Sequence, residues 1–238
     1  MGEVLAVIRR NPARSALLAS LVVLLAACGS DRSQTDGGRA ALGAAKAIAA
    51  KMRAGKAPAQ SPDPEQMAAT AKASFEGPLI LAEIENTGLM TALGEYGRNG
   101  SVRTYSTPNK QTLSFRGGVL IASRGLGFDL MSSDTGNAVA LITGRRSGTS
   151  DRSYRYLDGE WRERPLPMTC TYSSGAARTL SFAGTSYATV QIDETCQAKG
   201  QSLTVTNSYW VTGNGTIALS RQWIGPALGH VTVQLVRP

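Results

Sequence analysis

Residues 78–238 are predicted to form an antiparallel, mainly β domain, and three observations predict it. Short segments in which apolar and polar side chains alternate follow one another from Pro78 onward, the period of a strand with one buried face. Asn-Gly, Asp-Gly, Gly-Gly and Gly-Asn-Gly sequences separate them, and these supply the positive φ angles that tight hairpins need. The composition agrees, with 26 glycines and 6% aromatic residues. No helical stretch of βαβ length intervenes, which argues against a doubly wound nucleotide fold.

In chain order the first element is a leader, residues 1–27. Arg9, Arg10 and Arg14 precede "SALLASLVVLLAA", thirteen uncharged residues from Ser15 to Ala27. That is short of the roughly 20 needed to span a bilayer but suits the core of a signal peptide. Leu25-Ala26-Ala27-Cys28 looks like a bacterial lipobox, in which Cys28 is lipidated and becomes the new first residue. Acyl chains on one cysteine anchor stably, since each buried methylene contributes about 0.8 kcal/mol. An ordinary signal with an incidental cysteine is the alternative. By resemblance to enterobacterial lipoproteins, Gly29 in place of Asp favours passage to the outer membrane. The expected location is the cell envelope, on the outer membrane and facing the periplasm. Removing residues 1–27 takes away three arginines and Glu3, so the formal charge of +8 becomes +6. In an exported protein this excess argues against nucleic acid and for anionic polymers, lipid head groups or simple solubility.

Residues 28–77 read as a lipidated tether with short helical segments. "RAALGAAKAIAAKMRAG" has helical propensity but an apolar face made almost wholly of alanine. In "SPDPEQMAATAKAS", Asp63 is placed to cap a short helix, with Pro64 at its first position and Glu65 in its first turn.

The strands are read at "LILAEIEN", "SVRTYST", "QTLSFRGGVLIASRG", "NAVALIT", "RSYRYL", "RTLSFAG", "ATVQIDETC", "QSLTVTNSYWV", "TIALSRQWIG" and "HVTVQLV". The clearest hairpin runs from Ser202 to Val211, turns at "TGNG" and returns from Thr216 to Ile224. With Cys28 spent on lipid, Cys170 and Cys196 are left in an oxidising compartment and are expected to pair, the alternative being two buried thiols. A bridge closing that loop would contribute about 3.5 kcal/mol in the chain-entropy model.

The chemistry that is missing narrows the function. His230 is the single histidine, and no Gly-x-Ser-x-Gly or phosphate-binding loop occurs. One histidine and two cysteines do not make a four-ligand zinc site, so no metal and no cofactor is expected. A glycosidase needs two carboxyl groups about 5 to 9 Å apart. Asp129, Asp134, Asp158 and Glu160 are the carboxylates nearest the motifs, and Asp158 in "LDGEW" reads as a hairpin turn. No catalytic residue is assigned.

At "GVLIASRGLGFDLMSSD" and "NSYWVTGNGTIALSRQWIGP" the chain resembles the YjbF/GfcB family of bacterial lipoproteins. "RNGSVRTYSTPNKQTLSFRGGVL", "YRYLDG" and the pair Cys170 and Cys196 continue the likeness, which covers roughly residues 78–238. The resemblance implies an outer-membrane lipoprotein from an exopolysaccharide or capsule locus, with an open or half-barrel β fold and no established catalysis. The family motif often carries two consecutive acidic residues before Leu-Met, whereas this chain has Phe128-Asp129. That departure weighs against metal or two-acid chemistry there.

Two readings stand for "SRGLGFDLMSSD". In one, Gly125 and Gly127 take positive φ, and an Arg124–Asp129 ion pair locks a corner over Leu126, Leu130 and Met131. In the other, Arg124 shares a glycan- or partner-binding surface with Trp210, Arg221 and Trp223, extended by Tyr209. Trp210 and Trp223 are equally readable as core side chains of one hairpin. A third cluster, "GRRSGTSDRSYRY", sets Arg145, Arg146, Arg152 and Arg155 beside Tyr154 and Tyr156. It suits an acidic glycan, a phospholipid surface or plain solvation. The leading expectation is a non-enzymatic accessory factor in polysaccharide assembly or export that binds the polymer or an export protein. A polysaccharide hydrolase or lyase, and a structural envelope protein with a protein partner, are the rivals.

Overall fold

The computed structural model describes residues 63–238. The leader, Cys28, Gly29 and the tether up to residue 62 lie outside the described residues. Helix α1 (Pro64–Ser74) is followed by β1 (Leu79–Ile84), β2 (Leu89–Asn99), β3 (Val102–Ser106), β4 (Thr112–Arg116), β5 (Val119–Arg124) and β6 (Leu130–Asp134). After helix α2 (Ala138–Thr143) come β7 (Gly148–Leu157), β8 (Glu163–Phe182), β9 (Thr185–Ala198), β10 (Thr204–Thr212), β11 (Ile217–Gly225) and β12 (Gly229–Arg237). All pairings are antiparallel, in one 12-stranded sheet ordered β5-β4-β3-β2-β1-β12-β11-β10-β9-β8-β7-β6. Each strand pairs with its neighbour in sequence except at β1, which pairs with β12, and at β5 and β6, which end the sheet. Because β5 and β6 are joined by a short corner, the sheet rolls into a nearly closed barrel.

The barrel interior is the main core. Ile80, Ala82 and Ile84 of β1 point into it with Leu93, Phe115, Leu130, Ile192, Val211 and Ile224. Leu79 and Leu81 face outward and join a second cluster with Ala68 of α1, Phe182, Ala183 and Val236. This explains why "LILA" reads as an unbroken apolar run, since β1 is buried on both faces. Each such leucine contributes roughly 1.5–3 kcal/mol.

Helix α1 forms where its capping signals place it, with the Asp63 carboxylate accepting from the Glu65 N–H at 3.0 Å. Its two ends grip the tip of the β8–β9 hairpin: Lys72 Nζ donates to the Ala183 carbonyl at 2.8 Å, and the Ala183 N–H donates to Glu65 Oε2 at 3.0 Å. Arg237 of β12 closes the helix C-terminus by donating to the carbonyls of Lys72, Phe75 and Gly77.

Several elements differ from the sequence expectation, among them β6 and the first half of β8, which the sequence reading does not mark as strands. "NAVALIT", expected as a strand, is α2: Ala138, Leu141 and Ile142 are buried at helical spacing, and a six-residue segment is too short to tell one period from the other. β2, "LMTALGEYGRN", was not expected because glycines interrupt it. At Gly94 the reason is close approach, since a Cβ there would lie 2.6 Å from the Phe75 ring. The expected hairpin is present as β10 and β11, and Cys170 and Cys196 are bonded between paired positions of β8 and β9.

Candidate functional site

The Ser123–Asp134 segment is the seam of the barrel. Gly125 and Gly127 turn the chain at φ of 80° and 88°. Asp129, 7% exposed, accepts from the Ser123 hydroxyl at 2.7 Å and from the N–H groups of Gly125 and Leu126 at 2.9 and 3.2 Å. Ser123 Oγ in turn accepts from the Leu130 N–H at 3.0 Å. The Arg124 guanidinium donates to the carbonyls of Leu130 and Met131, at 3.2 and 3.0 Å. The expected Arg124–Asp129 ion pair is thus replaced by something else. Both charges are spent on backbone groups that β5 and β6, lacking a ladder between them, leave open. Leu126 packs against the core and Leu130 is fully buried.

Farther along β5, side chains from inside the barrel do the same work. Gln222 of β11 accepts from the Leu120 N–H at 2.7 Å and donates to the Gly118 carbonyl at 3.0 Å. Arg152 of β7 donates to the Leu120 carbonyl at 3.2 Å. Expected as one of an exposed basic cluster, Arg152 instead lies in the core, its side chain 1% exposed. Its partner is Glu194 of β9, at 2.6 Å and 0% exposed. Glu194 also accepts from Tyr172, Tyr209 and Asn207, at 2.6, 2.8 and 2.7 Å. Burial pushes the Glu194 carboxyl up, but the Arg152 charge and these hydrogen bonds outweigh it and hold it below the usual carboxylate range. Tyr154, under the Arg152 guanidinium at 4.6 Å, is pushed upward by burial and stays protonated.

Tyr209 and Trp223 belong to this interior. Tyr209 is fully buried on Glu194, and Trp223 meets Tyr154 and Tyr156 edge to face, with centroids 5.2 and 6.0 Å apart. A register shift between Trp223 and Gly225 breaks the β11 ladder, and the Trp223 N–H is satisfied by Asn207 Oδ1 at 2.7 Å. The sequence marks Arg152 only as one of a basic cluster and does not mark Glu194 at all. The signal available was alternation: Arg152, Tyr154 and Tyr156 share one face of β7, and Glu194 shares the face of Cys196.

Arg221 lies outside, paired with Glu85 at 2.6 Å, where both side chains are largely in water. His230 Nδ1 is 3.1 Å from the same carboxylate. Trp210 is half-buried, and its indole N–H, shielded from solvent, has no hydrogen-bond partner among the described residues. Arg145 and Arg146 are exposed, and Arg155 pairs with Glu163 at 3.5 Å. The six candidate residues therefore do not share one surface: Arg124 and Asp129 form the seam, Tyr209 and Trp223 the core, and Trp210 and Arg221 are not wholly buried.

The carboxylates near the motifs are structurally engaged. Asp158 accepts from the Glu160 and Arg162 N–H groups, at 2.8 and 2.9 Å, as its turn requires, and Asp134 accepts from the Gly136 N–H at 3.1 Å. Among the described residues the one grouping of metal-ligating side chains is Cys170, Glu194 and Cys196. It does not suit a metal, because the two sulfurs are bonded to each other at 2.07 Å and supply no thiolate.

Comparison with known proteins bears on this architecture. Among solved structures, the hypothetical lipoprotein YmcC from Escherichia coli K12 is similar in fold, with a TM-score of 0.64 at 16% identity over 73% of this chain and 90% of its own. An exported protein with a YmcC-like fold from Bacteroides fragilis aligns at a TM-score of 0.32 and 11% identity, over 68% of this chain and 95% of its own. No curated protein sequence matches the chain significantly. Residues 45–236 match the YjbF family, described as group 4 capsule polysaccharide lipoprotein gfcB, YjbF. The chain belongs to that family of cell-envelope capsule polysaccharide lipoproteins.

Proposed function

We propose that the protein is anchored through a lipid on Cys28 in the outer membrane, faces the periplasm, and assists capsule or exopolysaccharide assembly without catalysing a reaction. It does so by binding the polymer or an export protein. The family match over residues 45–236 carries this reading. Two features support the non-enzymatic part: the buried acid Glu194 is saturated by donors, and Asp129, Asp134 and Asp158 hold turns. The accessible remainder of the candidate surface is Arg124, Trp210 and Arg221, and a polymer contact would draw on these.

The test mixes the soluble mature chain with the native bacterium's extracellular polysaccharide and follows polymer mass by size-exclusion light scattering. Constant mass with co-elution is the expected result, weakened by Arg221→Ala or Trp210→Ala. Falling mass would overturn the reading in favour of a hydrolase or lyase. Constant mass without co-elution would move the role to a protein partner. The anchor is checked by metabolic labelling with palmitate, which Cys28→Ala should abolish.

A further inference from the structure

One end of the barrel holds a cavity of about 310 Å³, within the range of small-ligand sites. One wall is apolar, formed by Ile80, Tyr105, Phe115, Ile217, Val233 and Leu235, while Ser101, Thr143, Thr216, Ser220 and Pro238 also line the cavity. Backbone lines another side: Gly118 sits at φ 83°, where a Cβ would stand 2.8 Å from Ile217. A hole this size inside a core forgoes packing that a filled interior would have. The interior around Glu194, by contrast, is buried and hydrogen-bonded.

At the mouth stands Arg103, which both lines the cavity and is 31% exposed. Its guanidinium lies 5.4 Å from the centroid of the Tyr105 ring and is held by Glu95, whose Oε2 accepts from its Nε at 2.8 Å. Glu95 is shared with Arg98, which donates to it from Nε at 3.0 Å. Two guanidinium groups on one carboxylate leave a net positive charge, and neither Nη1 has an acceptor among the described residues. Glu95 fixes Arg103 in place, so little side-chain freedom is left to lose on binding.

We propose that this cavity binds an anionic amphiphile: a single alkyl chain fills the apolar interior, and a carboxylate or phosphate head meets Arg103 at the mouth. The proposal stands on the cavity and its rim, and is independent of the polysaccharide reading. A free fatty acid and a phosphate-headed lipid share this chemistry.

The test uses the mature chain with Cys28→Ala, exported so that its disulfide forms, since residues 63–238 contain both cores. A fluorescent fatty acid is displaced by dodecyl phosphate, dodecanoate, dodecyl maltoside and dodecyltrimethylammonium. The two anionic probes should compete at least tenfold better than the neutral and cationic ones. Arg103→Gln should remove that advantage and leave the maltoside unchanged, while Leu235→Trp, fully folded by circular dichroism, should abolish binding of all four. Equal competition by the four heads, or full binding in Leu235→Trp, would overturn the proposal. If Leu235→Trp does not fold, Ile217→Trp takes its place. A preference for dodecyl phosphate over dodecanoate would assign the natural source to a phosphate-headed lipid, and the reverse to a fatty acid.

Discussion

Two arginine–glutamate pairs of nearly identical geometry occupy opposite environments. Arg152–Glu194 and Arg221–Glu85 both close to 2.6 Å, yet the side chains are 1% and 0% exposed in the first and 41% and 49% in the second. Distance is therefore not what separates them. In water an ion pair contributes about 0–1 kcal/mol, because solvent and salt compete for both charges. Inside the barrel, removing either partner strands the other, and the loss is about 3–5 kcal/mol. The inner pair also discharges an architectural duty, since Arg152 covers the Leu120 carbonyl on the open edge of β5. The lesson is that the first pair belongs to the fold and the second is free for the surface.

Arg152→Met should break the comparison most severely, with a loss of about 3–5 kcal/mol in urea unfolding. Adding Glu194→Gln should restore part of it, because no charge is then left stranded and the amide oxygen can still accept from Tyr172 or Tyr209. A loss below about 1 kcal/mol for the single variant would place the two pairs in one class. Next comes Cys170→Ser with Cys196→Ser, which removes the covalent tie beside Glu194 and should cost about 3.5 kcal/mol. Asp129→Ala tests the seam, where buried donors lose their acceptor; about 1–3 kcal/mol is expected, with faster amide exchange at Gly125 and Leu126. Arg221→Ala should move stability by at most about 1 kcal/mol, and 1 M salt should erase even that difference.

Acid separates the two regions further. Glu194 titrates lower in the folded chain than its unfolded value of about 4.3. Its contribution is complete above that value and is lost as pH falls through the lower folded one, so Glu194→Gln should flatten the acid limb of the stability curve. His230 is also lowered, by burial first and then by Arg221. Its contribution is complete above about pH 6.5 and fades as pH falls below it, and His230→Gln should remove that slope.

Much of this fold was legible because strands announce themselves locally. Alternation marks β10 and β11, glycine pairs mark their turns, and Asp63 with Pro64 marks α1. What stayed hidden depends on residues far apart in sequence. Arg152 looks like a surface arginine until Glu194, 42 positions on, comes to face it. Asp129 looks like half of an ion pair until the barrel brings β6 beside β5 and leaves their backbone groups needing partners. Trp223 could be placed in the core only once the register shift in β11 was known. In each case short-range pattern gave the face of the strand, and the partner came from closure.

Closure also imposes an order in time. Leu79 at the start of β1 pairs with Arg237 at the end of β12, and β1 has no other neighbour on that side. A chain delivered N-terminus first can build β1 through β5 early, and the β8–β9 hairpin later, but it cannot join the two halves until β12 arrives. Contacts of such long separation are slow to form. Until then β1 shows a bare edge with an apolar run on both faces, the kind of segment that invites aggregation or a chaperone. A product truncated before residue 229 would keep that edge permanently, so whether β1 is covered distinguishes a finished molecule from an unfinished one.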